Sequence, residues 1–251
     1  MNNKDFLCED IVLKSIPRRV KKVLDFGCGD GSFTEKLYIK GRKIYGCDAD
    51  LSVLKDIKAN KRKVEYTHIS TKGNTPYKSN FFDCVTMMGV LEHVFDENIT
   101  LNEIHRILKK GGILYIYGLN KGLFGFLDTG NIKFTFPKLH KVLYKYFYSE
   151  KEYQKEFVLK RKQGMIGDVT VGRNSHTHYS KNDLIKLLSS RFKLKKHWLY
   201  SFTLPIILAL DFVYYSIFKK ESKLFIWMAR IDQKIKLGNL SYSFVAECKK
   251  I

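Results

Sequence analysis

Three glycines spaced Gly27-x-Gly29-x-Gly31 stand between two carboxylates, Asp25 and Asp48, in VLDFGCGDGSF (Val23–Phe33) and the IYGCDAD that follows. A glycine turn between a strand and a helix lets backbone approach a ligand, and a helix N-terminus favours an anion or dipole. Asp48 lies 21 residues beyond Gly27, close to the ~20 expected of an acid that grips a ribose hydroxyl. These spacings point to a nucleotide or nucleoside. A nicotinamide dinucleotide is the first rival, but its GxGxxG fingerprint asks for glycine at position 32, where Ser32 stands and Gly31 comes one place early. No GK[ST] follows, so a Walker-type phosphate loop is excluded. Three histidines are candidate bases near neutral pH: His93, after the apolar run Phe82–Met88, and His176 and His178 in NSHTHY. Each has an ordinary reading as a packed or loop histidine.

The elements that must position these residues alternate regularly. Short runs at Val23–Phe26, Lys43–Cys47, Phe82–Met88 and Ile113–Tyr117, and an alternating run at Val64–His68, predict strands. Helical patterns fall between them at 32–40, 51–60 and 98–110, the last with an apolar stripe of Ile99, Ile104, Ile107 and Leu108 closed by Gly111-Gly112. A leading amphipathic helix is expected within residues 1–20, stopped near Pro17. Strands alternating with helices predict an α/β fold, a doubly wound and mostly parallel sheet. Asp25, ending a core strand, is expected to be buried and to need partners; Asp50 is expected to cap the next helix from a solvated position. After Asn120 the rhythm breaks into an aromatic, basic stretch. It resumes with a helix at 180–190 and strands at 192–202 and 241–249.

Composition limits the alternatives. The 251 residues carry 45 Lys+Arg against 25 Asp+Glu, a formal charge of +20. That balance suits an anionic partner such as nucleic acid, a membrane surface or a phosphorylated substrate, or reflects biased composition alone. Five scattered cysteines without a CxxC give neither a disulfide framework nor a zinc site. Cys28 and Cys84 read as buried packing residues. No metal site is expected. The N-terminus shows no clean apolar core of a signal peptide, so a cytoplasmic setting is the expectation.

Taken together, these motifs resemble the class I S-adenosylmethionine-dependent methyltransferases, in particular the small-molecule, methyltransferase type 11-like group marked by LDxGCGxG. The resemblance continues in order through IYGCDAD, through TPYKSNFFDCVTMMGVLEHVFD (Thr75–Asp96) and through EIHRILKKGGILYI (Glu103–Ile116). It covers about residues 20–118 strongly and 180–202 weakly. It implies a seven-stranded sheet with S-adenosyl-L-methionine as cofactor, and a last strand that forms an antiparallel hairpin with the one before it. It implies cofactor contacts from Asp25, Gly27, Cys28, Gly29, Gly31, Asp48, Ala49, Ser70, Thr71, Met88 and Gly89, with Asp48 on the ribose. Two departures stand out: HISTKGN places Ser70 and Thr71 where the family often has an acid, and Lys110 replaces a usual proline. The implied domains are a leading helix (1–20), the cofactor-binding core (21–118), a cap or lid (119–178) and a C-terminal helix and strand pair (179–251) with an apolar insertion (203–240).

The acceptor is less constrained. Methylases of adenine amino groups carry [DN]PP[YF] after the fourth strand, where this chain reads MMGVLEH, so nucleic acid is disfavoured. The basic aromatic run KLHKVLYKYFYSEKEYQKEFVLKRK can hold a phosphate backbone or form a helical lid with a lysine face. The 17-residue stretch Phe202–Phe218 contains Pro205 and Asp211 between lysine pairs, and falls short of the ~20 apolar residues that span a bilayer. It suits a helix lying on an anionic membrane or covering an apolar pocket. The expectation is O-methylation of a small, saccharide or lipid-linked acceptor. RNA methylation and a non-catalytic S-adenosylmethionine-binding module are the alternatives.

Overall fold

In the computed structural model, residues 7–57, 64–167, 169–220 and 222–251 are described. The chain begins with α1 (Leu7–Ser15), then alternates β1 (Lys22–Phe26), α2 (Ser32–Lys36), β2 (Lys43–Asp48), α3 (Leu51–Asp56), β3 (Val64–His68), β4 (Phe82–Met88), α4 (Glu97–Ile107) and β5 (Leu108–Leu119). Helices α5 (Ile132–Thr135), α6 (Pro137–Phe147) and α7 (Glu150–Tyr153) follow, with a two-residue hairpin, β6 (Met165–Ile166) and β7 (Val169–Thr170). The chain closes with α8 (Lys181–Leu188), β8 (Phe192–Tyr200), α9 (Leu204–Phe218), α10 (Lys223–Asp232) and β9 (Ser243–Lys250).

Seven strands form one sheet in the order β3-β2-β1-β4-β5-β9-β8. The pairs β1–β2, β1–β4, β2–β3 and β4–β5 are parallel. Tyr242 donates to the Ser201 carbonyl and Ile251 to that of Arg191; the partner number falls as the chain advances, so β9 runs antiparallel to β8. The strand order reverses between β1 and β4, and such a reversal opens a crevice at the carboxyl ends of parallel strands.

The central parallel strands β1, β2 and β4 are buried on both faces, while the edge strand β3 has no buried residue. Val23, Leu24, Cys47, Phe82, Cys84, Val85 and Met87 are all buried, as expected where helices cover a parallel sheet. Asp96 caps α4 by accepting from the Ile99 amide, and the helix presents Leu101, Ile104 and Ile107 to the core. Ile99 was expected on that stripe but faces outward, because it stands five residues from Ile104, off the three-and-four spacing of one helix face. Helix α2 ends at Lys36 rather than at 40. The helix expected over 51–60 ends at Asp56, and 58–60 lie outside the described residues. In α1, Cys8 and Val12 pack inward, as does Ile16 just beyond it; the part of this helix expected over 1–6 lies outside the described residues.

Gly111-Gly112 was expected to close α4. Instead the helix stops at Ile107 and the glycines sit inside β5. Phe82 pairs with Leu108 but Cys84 pairs with Ile113, so extra residues bulge from β5. Gly111 takes a positive φ of 71°, and a Cβ on Gly112 would lie 2.8 Å from the Lys109 carbonyl.

The chain divides into two compact units, each discontinuous in sequence. Among the described residues, one contains 8–57, 64–118, 181–198 and 245–251; the other contains 7, 119–167, 169–180, 199–220 and 222–244. Within the second, α9 and α10 pack together, with Tyr214 edge-on to Phe225. Buried Asp232 fixes the entry to α9 by accepting from the amides of Phe202 and Thr203 and from the Thr203 hydroxyl. Gly112→Ala is expected to destabilise the fold by about 1–3 kcal/mol, since backbone must yield to the new methyl. Urea unfolding measures this, and an unchanged midpoint would show that the bulge relaxes freely.

Candidate active site

The glycine turn sits at the carboxyl end of β1, where Phe26 pairs with Cys47 of β2. Gly27, Gly29 and Gly31 have φ of 75°, 52° and 77°, the left-handed region that glycine enters without Cβ strain. Two of them also make room. A Cβ on Gly27 would meet Val90 at 2.4 Å, and one on Gly31 would meet the Tyr66 hydroxyl at 2.5 Å, whereas Gly29 faces open space.

The turn's amides are largely committed inside the protein. Those of Gly27 and Cys28 both donate to the Cys47 carbonyl at 2.8 and 3.0 Å, and that of Gly31 donates to Cys28. The Gly29 amide donates to Asp48 Oδ2 at 2.8 Å, and Ser32 donates to Asp30 Oδ1. Sequence patterning suggests a cradle of amides at a helix N-terminus. The structure instead satisfies these amides locally, and the turn is bordered by Asp25, Asp30 and Asp48. A pyrophosphate requires unspent donors and positive charge, so this turn is ill suited to a dinucleotide and well suited to a cation. Asp48 also accepts the Asp50 amide through Oδ1 at 2.8 Å. A carboxylate offers about four lone-pair sites, so capacity remains for ribose hydroxyls.

Asp25 is 2 % exposed. It accepts from Thr34 Oγ1 at 2.7 Å and from Thr86 Oγ1 at 2.8 Å, tying α2 and β4 to β1. Burial pushes its carboxyl up to about 6 despite these two hydrogen bonds, and the charge of Asp48 adds to the rise. Thr34 and Thr86 are the functional partners that sequence reading missed; nothing in a lone threonine signals such a role. Asp50 caps α3 by accepting from Ser52, but it is buried rather than solvated, because Asp48 draws its amide inward. Cys28 is buried, and burial raises its thiol well above the usual range. Cys84 is likewise buried and raised by burial.

The other expected cofactor residues fall on neighbouring strand ends. The Ala49 carbonyl contacts His68 Nε2 at 3.2 Å. Ser70 is exposed and Thr71 half-buried in the turn after β3, where Gly73 donates to the Ser70 carbonyl. Glu103 pins the following segment by accepting from the Thr75 amide and hydroxyl, while Arg106 donates to Glu103 and to the Tyr77 carbonyl. Met88 ends β4 opposite Tyr117, and Gly89 leaves it at a φ of 68°. His93 is half-buried in the turn beyond, next to buried Glu92.

His176 and His178 belong to the other unit, and each meets a residue that sequence reading did not single out. His176 Nδ1 lies 3.2 Å and His178 Nε2 3.0 Å from the same oxygen of Asp128, Oδ2. Burial alone would raise the Asp128 carboxyl; the hydrogen bonds from both imidazoles and from the Gly130 amide hold it well below the usual carboxylate range. A cleft of about 460 Å3 is lined by both histidines with Phe126, Asn131, Ser175 and Thr177.

Residues 24–116 match a family model described as a methyltransferase domain. A ubiquinone biosynthesis O-methyltransferase of Pelagibacter ubique is 34% identical over 126 residues, 48% of this chain and 52% of that protein. Its counterpart in Pseudomonas syringae is 31% identical over 105 residues, 40% and 45% respectively. The chain thus spans about half the length of the curated relatives it matches. A crystal structure of a methyltransferase from Methanosarcina mazei shares the fold with a TM-score of 0.53 at 19% identity, over 96% of this chain and 97% of that one. Residues 24–116 therefore match a methyltransferase domain, in keeping with their resemblance to the class I S-adenosylmethionine-dependent methyltransferases. The geometry fits that family's cofactor on two counts: an acid-bordered turn for a sulfonium, and an acid after β2 with capacity for a ribose.

The raised Asp25 carboxyl has a signed consequence for the stability of this protein. A raised folded pKa contributes stability that is fully present below about pH 4 and is lost as pH rises through about 6. A shift from 3.8 to about 6 corresponds to about 3 kcal/mol. Asp25→Asn is therefore expected to gain stability over the wild type between pH 4 and 7. Urea unfolding at both pH values checks it; an advantage independent of pH would mean that Asp25 does not titrate in this window.

Proposed function

We propose that this chain transfers a methyl group from S-adenosylmethionine to a hydroxyl of a small-molecule acceptor. The observation that carries the reading is the turn whose amides are largely committed internally, with the buried Asp25 before it in the chain and Asp48 bonded to its Gly29 amide. When bound, the cofactor supplies an electrophilic methyl on a cationic sulfur, which leaves as a neutral thioether. In this reading Asp48 accepts from ribose hydroxyls and Asp25 lies toward the ammonium of the methionine end. Gly27, Cys28, Gly29, Gly31 and Ala49 shape the floor, and Ser70, Thr71, Met88 and Gly89 border the nucleoside. An imidazole, from His93, His176 or His178, takes the acceptor's hydroxyl proton as the oxygen–carbon bond forms. The remaining work of the protein is alignment and exclusion of water.

Support for oxygen as the target comes from the named activity of the Pelagibacter and Pseudomonas relatives. The saccharide or lipid-linked character of the acceptor rests on α9 and α10. Leu210, Val213, Ile217, Leu224 and Trp227 are exposed there, beside Lys219, Lys220 and Lys223. No helix among the described residues is long and apolar enough to cross a membrane. Exposed apolar side chains flanked by lysines favour peripheral contact with an anionic bilayer, as interfacial helices do.

Calorimetry with S-adenosylmethionine is expected to show one binding site, weakened at least about tenfold by Asp48→Ala through loss of charge-assisted hydrogen bonds; NADH is expected to give no heat. Incubation with a cell extract is expected to release S-adenosylhomocysteine and raise one metabolite by the mass of a methylene. Cofactor binding without that product would favour the non-catalytic module, and product formed only on added RNA would favour the nucleic-acid alternative. Sedimentation with vesicles containing phosphatidylglycerol is expected to deplete the protein from solution, and Leu210→Glu/Ile217→Glu to restore it. Equal depletion from neutral vesicles or by the double variant would remove the membrane reading.

A further inference from the structure

Two imidazoles from one short segment meet on a single carboxylate oxygen, Asp128 Oδ2. His176, His178 and Asn131 all converge on Asp128 Oδ2, and each of these buried polar groups carries a desolvation cost that its hydrogen bond must offset. The fold also makes deliberate room for both rings. A Cβ on Gly125 would come within 2.9 Å of His178 Nδ1, and one on Gly130 within 2.2 Å of His176 Cε1. The intervening Asp128 is itself fixed: its Oδ1 accepts from the Gly130 amide at 2.9 Å, and Asn131 Nδ2 donates to Oδ2 at 3.2 Å. Asn131 Oδ1 in turn accepts from the His176 amide at 2.9 Å, tying the two histidine-bearing and aspartate-bearing segments together. The side chains of Asp128, His176 and His178 are 8 %, 8 % and 10 % exposed.

An ionised carboxylate only accepts, so both rings must donate to it. His176 then carries its proton on Nδ1 and His178 on Nε2. In the neutral ring of His178 the lone pair is left on Nδ1, the atom packed over Gly125, and Gly125 lines the cleft. Phe126, 79 % exposed, offers an apolar wall in the same cleft, and Thr177 Oγ1, held by Arg173 Nη2 at 2.7 Å, and Ser175 offer hydroxyls.

We propose that Asp128 is a positioning residue. It locks His178 in the tautomer that presents Nδ1 to the cleft, and the cleft binds a hydroxyl-bearing aromatic ligand whose O–H donates to that nitrogen. His176 is the second donor that keeps Asp128 Oδ2 in place. The O-methyl transfer reading supplies only the role of the ligand as acceptor; the binding site stands on the geometry of residues 121–131 and 173–178.

Ring-nitrogen NMR on full-length protein labelled with 15N-histidine tests this, with 3,4-dihydroxybenzoate as the probe. Above the titration range, the expected pattern is His178 protonated on Nε2 and His176 on Nδ1. Adding the probe is expected to shift His178 Nδ1. In Asp128→Asn both tautomers should become mixed, and the probe's apparent Kd should weaken at least fivefold. Should that variant misfold, Thr177→Ala and Phe126→Ala, which leave the carboxylate in place, are expected to weaken the probe while the tautomers persist. Rings that exchange freely between tautomers in the wild type, or a probe that moves no ring nitrogen of His178, would overturn the proposal. Calorimetry with S-adenosylmethionine on the same sample reads the cofactor site separately. No heat there, with locked tautomers and a probe-induced shift, would overturn the methyl-transfer reading and support this site.

Discussion

The carboxylate of Asp48 holds the glycine turn in place. One of its oxygens takes the Gly29 amide and the other the Asp50 amide, so a single side chain joins the first strand-to-helix turn to the start of α3. That arrangement requires left-handed backbone at Gly29, where any other residue would meet strain. It also decides the sign of the site. Amides that could have cradled phosphate are turned to Cys47, Cys28, Asp30 and Asp48, and the surface left behind is carboxylate-rich. In a chain of net charge +20 this is a local inversion of potential. Dinucleotide enzymes share the strand–glycine turn–helix plan but use the amides of the turn; here the difference lies in hydrogen bonding rather than topology.

Asp25 shows what this design costs. A carboxylate buried this deeply is unfavourable unless it is hydrogen-bonded or neutral, and Thr34 and Thr86 supply only hydroxyl donors. The protein thus keeps an under-compensated acid below the turn. A cation in the crevice would relieve that destabilisation, since an opposite charge nearby favours the ionised form. Strain of this kind is characteristic of functional sites, where stability yields to binding.

Much of the core was legible because its signals are local and mutually consistent. The strands at 23–26 and 82–88 are read from apolar runs that end in glycine, the strand at 64–68 from alternation and the turn at 27–31 from its glycines, and the sheet follows from the regular succession of strands and helices. Where the reading missed, a non-local contact decided the outcome. Gly111-Gly112 resembles a helix stop, but the pairing of β5 with β4 makes it a bulge. Ile99 resembles a core residue, but the face of α4 is set by Leu101 and Ile104. Asp50 is a cap as expected, yet Asp48 buries it. The partners of Asp25 lie 9 and 61 residues away, beyond any spacing rule.

The Asp128 cluster was illegible for the same reason and is instructive about how such sites are written in a chain. NSHTHY advertises two histidines, but their chemistry is set by a carboxylate 48 and 50 residues earlier. The trace of that pairing is in the glycines: G-F-L-D-T-G (125–130) has no side chain at the two positions where a ring must enter. Glycine there serves close approach of another group, a role it takes outside turns as well. An imidazole on an ionised carboxylate has its tautomer set by that bond, and its outer nitrogen becomes a defined acceptor. The same logic orients the base in hydrolytic triads. Applied here, it makes Asp128 the residue that converts two loop histidines into an ordered hydrogen-bonding surface.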